Sequence, residues 1–149
     1  MRLPRPALRL TLLALGLALL LGCQPQAGTP MSMGGVTLLR YGPDASAGTA
    51  HIQGTLRFHD GCIWVDPDAA AEAVVVWPPH ARLEEVAGAL HVVMGEQSLA
   101  DGDRVSIGAR PIIGPDRVRE AEAVVGPLPP GCAAADSYAV VSSVSVTPS

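Results

Sequence analysis

Histidine is the side chain that most often moves protons in enzymes near neutral pH, and this chain contains four histidines. None of them falls within a recognisable catalytic motif, and the Gly-x-Ser-x-Gly turn that exposes a serine nucleophile is missing. The four are His51, His59, His80 and His91. The sequence therefore predicts no catalytic residue and a protein that is not an enzyme. An enzyme whose site forms only in three dimensions remains an alternative.

Two short motifs could contribute ligands to a metal ion. His59 and Cys62 lie three residues apart, and Asp66 and Asp68 flank a proline. A zinc site needs about four convergent ligands, however, and Asp and Pro both favour turns for local reasons. We therefore predict no metal site and no dissociable cofactor.

Copper binding is an exception, because the sequence leaves a copper carrier as an alternative function. Met31 and Met33 offer two thioethers, which suit Cu(I), and small periplasmic copper carriers with an OB barrel use Met, His and Trp side chains. Both methionines fall in a segment that we expect outside the barrel. A copper carrier is therefore an alternative and not the main prediction.

The N-terminal leader has the composition of a secretory signal peptide. It opens with Arg2, Arg5 and Arg9 and then runs apolar from Leu10 to Leu21. This run is too short for the roughly 20 residues of a membrane-spanning helix. We predict that residues 1–22 form a signal peptide that is cleaved.

The leader ends on Leu20-Leu21-Gly22-Cys23, which resembles the lipobox of bacterial lipoprotein precursors. The resemblance implies cleavage before Cys23, a diacylglyceryl group on its thiol and acylation of its new amino group. Two acyl chains are enough for stable anchoring, since each buried CH₂ contributes about 0.8 kcal/mol. The protein would then be extracytoplasmic and anchored to the cell membrane or the outer membrane. Gln24 is compatible with transfer to the outer one, and an ordinary signal peptide is the alternative.

Two further cysteines remain once Cys23 is used for lipid. Cys62 and Cys132 form an even pair in what would be an oxidising compartment. The chain has no Cys-x-x-Cys motif, and a single pair far apart in sequence is a poor redox signature. We predict a structural disulfide between them; two separate buried thiols are the alternative.

Composition restricts both the domain count and the partners. Removing residues 1–22 leaves one domain's length of chain, with seven arginines, no lysine and fourteen acidic residues. Nucleic-acid binding draws most of its affinity from Lys and Arg, so a mature charge of −7 argues against a nucleic-acid partner.

Composition and pattern divide the chain into three parts. Residues 1–22 are the predicted signal peptide, and 23–50 hold the lipidated cysteine, a flexible tether and a segment at 35–41 that could be a peripheral strand. Residues 51–149 are the predicted β-barrel domain.

The clearest strand pattern lies at the start of this domain. Ile52, Leu56 and Phe58 alternate with polar residues, and Asp60-Gly61 is a strong hairpin turn. Several short strands separated by turns predict an all-β fold, for which we favour a small five- or six-stranded OB-like barrel. Gly54 would mark a barrel bend. An open β-sandwich is the runner-up.

Other segments of the domain have weaker patterns. Residues 73–77 form an apolar run of strand length, and residues 138–146 alternate as a closing strand. Leu83, Val86 and Ala87 are spaced for one face of a short helical turn over 82–89. A further strand is expected over 120–125.

Five short motifs of the domain resemble small, uncharacterised, disulfide-linked β-barrel lipoproteins of GC-rich bacteria. The motifs are Gly54-Thr-Leu-Arg-Phe, Gly61-Cys62-Ile-Trp-Val, Val74-Val-Val-Trp77-Pro78, Gly102-Asp103-Arg-Val105-Ser-Ile-Gly108 and Gly131-Cys132. The resemblance covers roughly residues 51–145 and implies a common barrel with a disulfide. It implies no activity.

The best candidate for a surface contact is the loop from Trp77 to Arg82. Trp77, His80 and Arg82 are its candidate interaction residues, since Trp and Arg dominate interface energetics. In the alternative interpretation Trp77 closes the barrel core. We expect a non-catalytic binding or structural module of the cell envelope, whose partner is an unknown envelope protein or a small ligand.

Overall fold

The computed structural model describes residues 28–148, so the predicted signal peptide and Cys23 lie outside the described residues. This part of the chain forms ten strands and two helices. The strands are β1 Met31–Met33, β2 Val36–Arg40, β3 Ala50–His59, β4 Cys62–Pro67, β5 Ala73–Trp77, β6 Arg82–Val86, β7 Ala89–Met94, β8 Gln97–Ala100, β9 Arg104–Ile112 and β10 Tyr138–Val146. The helices are α1 Arg117–Val125 and α2 Pro130–Ala133. Neither of these helices has the length and apolar character needed to cross a membrane.

Five strands form a closed ring in the order β3, β4, β5, β10, β9. All neighbours in the ring are antiparallel except β5 and β10, which run parallel. β4 and β5 pair over two residues and then separate, and β2 fills the gap as a sixth strand. It pairs through Thr37 with Cys62 and through Leu39 with Val76.

The predicted small barrel is therefore confirmed in its six-stranded form. The sheet closes on itself, so the open β-sandwich is not the fold of this domain. Gly54 lies where β3 passes close to the end of β4. A Cβ atom at this position would collide with the carbonyl oxygen of Asp66. A close approach of two backbones therefore accounts for the glycine at this position.

The barrel interior is filled by one face of each strand. Leu56, Ile63, Val75 and Trp77 belong to this core. The second sheet, formed by β6, β7 and β8, covers one end of the barrel and adds buried side chains to the same core: Leu83, Val92 and Leu99.

The opposite face of several strands is covered by the two helices, which creates a second core. Val74, Val76 and Tyr138 point outwards from the barrel and pack with Ala121 and Val125 of α1. β5 is therefore buried on both faces, which explains its continuous apolar run. The second core also contains the Cys62–Cys132 disulfide, with a Cα–Cα distance of 5.7 Å.

Two local predictions are wrong. The expected helical turn over 82–89 is strand β6, whose Leu83 is buried in the barrel core and whose Val86 is exposed before the tight turn at Ala87 and Gly88. The expected strand over 120–125 lies within α1, because Ala121 and Val125, four residues apart, are the positions that pack on the sheet.

The segment before the domain is more ordered than a free tether. β1 forms an antiparallel pair with β2, and the thioether sulfur of Met31 accepts a hydrogen bond from the Leu83 amide at 3.2 Å. The strand predicted at 35–41 is β2, which belongs to the barrel wall and is not peripheral. The barrel therefore includes chain upstream of His51.

Candidate functional site

A cleft of about 600 Å³ opens at one end of the barrel. β3, β5 and β10 begin at this end, which we call the cleft end, and β4 and β9 finish there. The cleft lies between the start of β3, the segment Pro67–Ala71, the end of β9 and the start of β10. Four stretches that are far apart in sequence thus form one concavity.

Most of the cleft lining is apolar and small. Ala69, Ala70 and Ala71 form one side, and Pro111 and Ile113 form another. Alanines occupy little volume, so this side of the cleft stays open. Ile113 is 69% exposed, the highest value among the large apolar residues of the described chain. Exposed apolar surface of this kind is unfavourable in water and often marks a binding site.

The charged group nearest to the cleft is neutralised within the protein. Asp68 receives two charge-assisted hydrogen bonds from Arg104, one of them 2.8 Å long from Nη1 to Oδ1. These hydrogen bonds lower the pKa of Asp68, as expected for a carboxylate on a guanidinium fork. The pair fixes the residue that directly precedes the alanine run Ala69–Ala71.

Tyr138 borders the cleft, but its hydroxyl forms a hydrogen bond elsewhere. The hydroxyl donates to the Cys132 carbonyl at 3.0 Å inside the second core, and burial raises the pKa of Tyr138. His51, Gln53 and Ser137 are the remaining polar side chains of the lining. They could orient a ligand by hydrogen bonding.

A second group of titratable residues lies on the outer face of β3 and β4. The His59 ring stacks on Trp64 with a centroid distance of 5.0 Å, and the indole nitrogen of Trp64 donates to the His59 carbonyl. The His59 Nδ1 atom lies 2.9 Å from Asp60, and Nε2 lies 3.4 Å from Glu72. The hydrogen bond with Asp60, and secondarily Glu72, raise the pKa of His59 against the opposing effect of burial.

The structure buries the first residue of the predicted interaction loop and exposes the other two candidate residues. Trp77 is completely buried in the barrel core, so the alternative interpretation of this residue is the correct one and it cannot act as a surface contact. Its indole nitrogen has no hydrogen-bond partner among the described residues. His80 and Arg82 are exposed, and Arg82 forms an ion pair with Glu84.

The metal and disulfide predictions have different outcomes. The disulfide between Cys62 and Cys132 is confirmed, and both cysteines are fully buried. Within residues 28–148 no group of three or more His, Cys, Asp or Glu side chains could hold a metal ion. The absence of a metal cofactor stays a prediction.

The chain matches no protein-family model, no curated protein and no solved structure. Lipidation and the resemblance to envelope lipoproteins therefore stay predictions. The cleft itself was missed by sequence reasoning. Its local signals were the alanine run at 69–71 and the exposed isoleucine between Pro111 and Pro115, neither of which indicates a site without the fold.

Proposed function

We propose that this protein is a membrane-anchored, extracytoplasmic binding module that holds a small, largely apolar ligand in the cleft at the end of the barrel. The observation that carries this proposal is the cleft. Small-molecule sites commonly enclose about 300–1,000 Å³ and combine apolar walls with a few polar groups. A cleft of about 600 Å³ lined mainly by alanine, proline and isoleucine, with His51 and Gln53 as exposed polar side chains, fits this description.

The compartment is supported by two independent features. A disulfide between buried cysteines 70 residues apart is typical of proteins outside the cytosol. The sequence around Cys23 resembles a lipobox. Both features agree with an envelope location.

A binding role is favoured over catalysis by the placement of the titratable groups. Asp68 is paired with Arg104, and the hydroxyl of Tyr138 is turned into the second core. His59, whose pKa is raised, lies on the outer face of β3 and is not part of the cleft lining. Among the lining residues the cleft therefore offers the imidazole of His51 without a second free titratable group to act as its acid or base partner, which favours hydrogen bonding over catalysis.

The ligand can be sought without knowing its identity. The full chain is purified from its native host, and small molecules released by denaturation are compared by mass spectrometry with those released by Ile113→Asp. The matched control is Val86→Asp, which places the same charge at another exposed apolar residue, outside the cleft. The proposal expects a compound that is present with the wild type and Val86→Asp and lost with Ile113→Asp. Equal recovery from all three would contradict it.

The anchor is tested by intact mass and fractionation of the wild type and of Cys23→Ala. We expect a membrane-bound product, heavier than the polypeptide from residue 23 by its lipid, that is lost in the variant. A soluble, unmodified wild-type protein would rule out the anchoring part of the proposal.

A further inference from the structure

We infer that the cleft binds a short peptide in extended conformation, which adds as an antiparallel strand beside the first residues of β3. This inference rests on the proposed function and deepens it, because it names the chemical class of the ligand. The site consists of residues Ala50 to Gln53, which we call the open edge, and of the apolar lining of the cleft next to them.

The open edge has a neighbouring strand on one side only. β9 pairs with β3 back to Ala50, whose partner is Ala109. On the other side β4 pairs with β3 only as far as Gly54, whose partner is Pro67. In the part of the chain that the structure describes, the residues before Gly54 therefore have no strand on the side where β4 ends.

Hydrogen bonds further along β3 show where the backbone groups of the open edge point. Leu56 donates and accepts backbone hydrogen bonds of 2.9 and 2.8 Å with the two residues directly before β9. Because successive residues of a strand direct their amide and carbonyl groups to opposite sides, those of Gln53 and His51 point away from β9. The Gln53 carbonyl agrees with this direction, since it accepts from the Asp68 amide just after β4 at 3.4 Å.

His51 is the residue that this geometry leaves available. Asp68 already occupies the position opposite Gln53, so an added strand pairs from His51 outwards. His51 is exposed, and within residues 28–148 no hydrogen bond reaches its amide or carbonyl from the side away from β9. An amide and a carbonyl on one residue match a single residue of an antiparallel strand, which exchanges two hydrogen bonds with it. The chemistry that complements the open edge is thus another peptide backbone.

Strand alternation also predicts the side chains of this peptide. The residue opposite His51 directs its side chain outwards, and the residues before and after it face the same way as Ile52. Ile52, Ala73 and Ala139 line the cleft and pack with the barrel core. Apolar side chains at these two flanking positions would therefore be removed from water, which favours binding. The open edge spans about 14 Å, which is the length of three or four extended residues.

Charge restricts the central residue of the peptide. Asp66 and Asp68 lie at the end of β4, and Asp68 is neutralised by Arg104. Asp66 is exposed, and the mature chain would carry a net charge of −7. An acidic residue between the two apolar ones is therefore disfavoured, and a neutral or basic one is favoured.

The test selects peptides on the full chain in mild detergent from a display library of random linear peptides. The most enriched peptide is synthesised with an N-methyl group at one backbone amide at a time, and each affinity is measured by titration calorimetry. We expect two apolar residues separated by one, and the largest loss of affinity when the residue between them is methylated. Methylation of a terminal residue is the matched control. A library that yields no peptide, or a peptide that tolerates methylation of every amide, would overturn the inference.

Two substitutions at one position test the same hydrogen bonds from the side of the protein. His51→Pro removes the open amide and keeps the pairing with β9, because proline is tolerated where a strand amide has no partner. His51→Ala removes the imidazole and keeps the amide. We expect the selected peptide to bind His51→Pro about 3- to 10-fold more weakly than His51→Ala, which is the loss of one hydrogen bond. Equal affinities of the two folded variants would overturn strand addition, and if His51→Pro does not fold the methylated peptides decide.

The ligand recovered from the native host separates this inference from the proposed function. A short peptide that is lost with Ile113→Asp would support both. A non-peptide compound lost with that variant would support the proposed function and overturn the inference. Recovery of no compound together with no enriched peptide would overturn both. A dimer of the chain that His51→Pro dissociates, without peptide binding, would assign the open edge to a second copy and overturn the inference.

Discussion

Removing the disulfide should cost a large share of the stability of this domain. Cys62 and Cys132 are separated by 70 residues, and the bond between them joins the start of β4 to α2. In the chain-entropy model, closing a loop of this length restricts the unfolded chain enough to contribute about 4 kcal/mol. Domains of about 120 residues have free energies of unfolding of about 6–18 kcal/mol. The double variant Cys62→Ala/Cys132→Ala should therefore fold but be much less stable.

The assay is urea unfolding of the full chain in mild detergent, followed by the fluorescence of Trp64 and Trp77. A loss of about 4 kcal/mol corresponds to a fall of about 2 M in the urea midpoint, and to a fall of about 15 °C in Tm. Reduced wild-type protein is the control, because it keeps both cysteine side chains and loses only the covalent bond. A loss below about 1 kcal/mol in both samples would refute the loop-entropy reasoning. A large loss in the variant alone would assign the effect to packing in the second core.

Three further predictions concern single residues, each measured by the same unfolding assay. Trp77→Ala should lower the free energy of unfolding by about 3–5 kcal/mol, because the side chain is fully buried. Trp77→Phe should lower it much less, because phenylalanine keeps most of the aromatic volume and removes the indole N–H that has no partner among the described residues. Similar losses for the two variants would contradict this reasoning. The raised pKa of His59 should stabilise the fold fully below about pH 6.5, its unfolded value, and this stabilisation should be lost as the pH rises through the folded value. His59→Gln should then lower the free energy of unfolding by about 0.2–1 kcal/mol at pH 5.5 and by less at pH 8.5. In a Glu72→Gln background this difference between the two pH values should be smaller. A loss that does not depend on pH would contradict the role given to the His59 charge. Gly54→Ala should cost about 1–3 kcal/mol, since its methyl group meets the backbone of the neighbouring strand, and an unchanged midpoint would show that this approach can relax.

The strands could be predicted from the sequence because the alternation of side chains along a strand depends only on neighbouring residues. Alternation over 51–58 and the Asp60-Gly61 turn predicted the β3–β4 hairpin that the structure contains. Asp60 and Gly61 have φ values of 52° and 75°, as the tight turn requires. The cysteine pair was predictable for a different reason: once one cysteine is assigned to lipid, only one pairing of the other two is possible.

Short segments were less predictable because their environment decides them. Leu83, Val86 and Ala87 have helical spacing, yet pairing with β7 makes this segment a strand in which only Leu83 is buried. The reverse holds for α1, where Ala121 and Val125 pack on the outer face of the sheet. Each pattern is too short to overcome the neighbours that the fold supplies.

Sequence by itself thus determined the class of the fold, the disulfide and the prediction of a lipid anchor, because each depends on local periodicity, on composition or on a contiguous motif. Tertiary structure alone decided that Trp77 is core, that residues 28–34 are docked, and that a cleft exists. The cleft requires the ends of strands that are distant in sequence, from His51 to Tyr138, to meet at one end of a closed barrel. The docking of Gly28, whose amide donates to the Val124 carbonyl of α1, likewise joins residues far apart in sequence, which no local pattern contains.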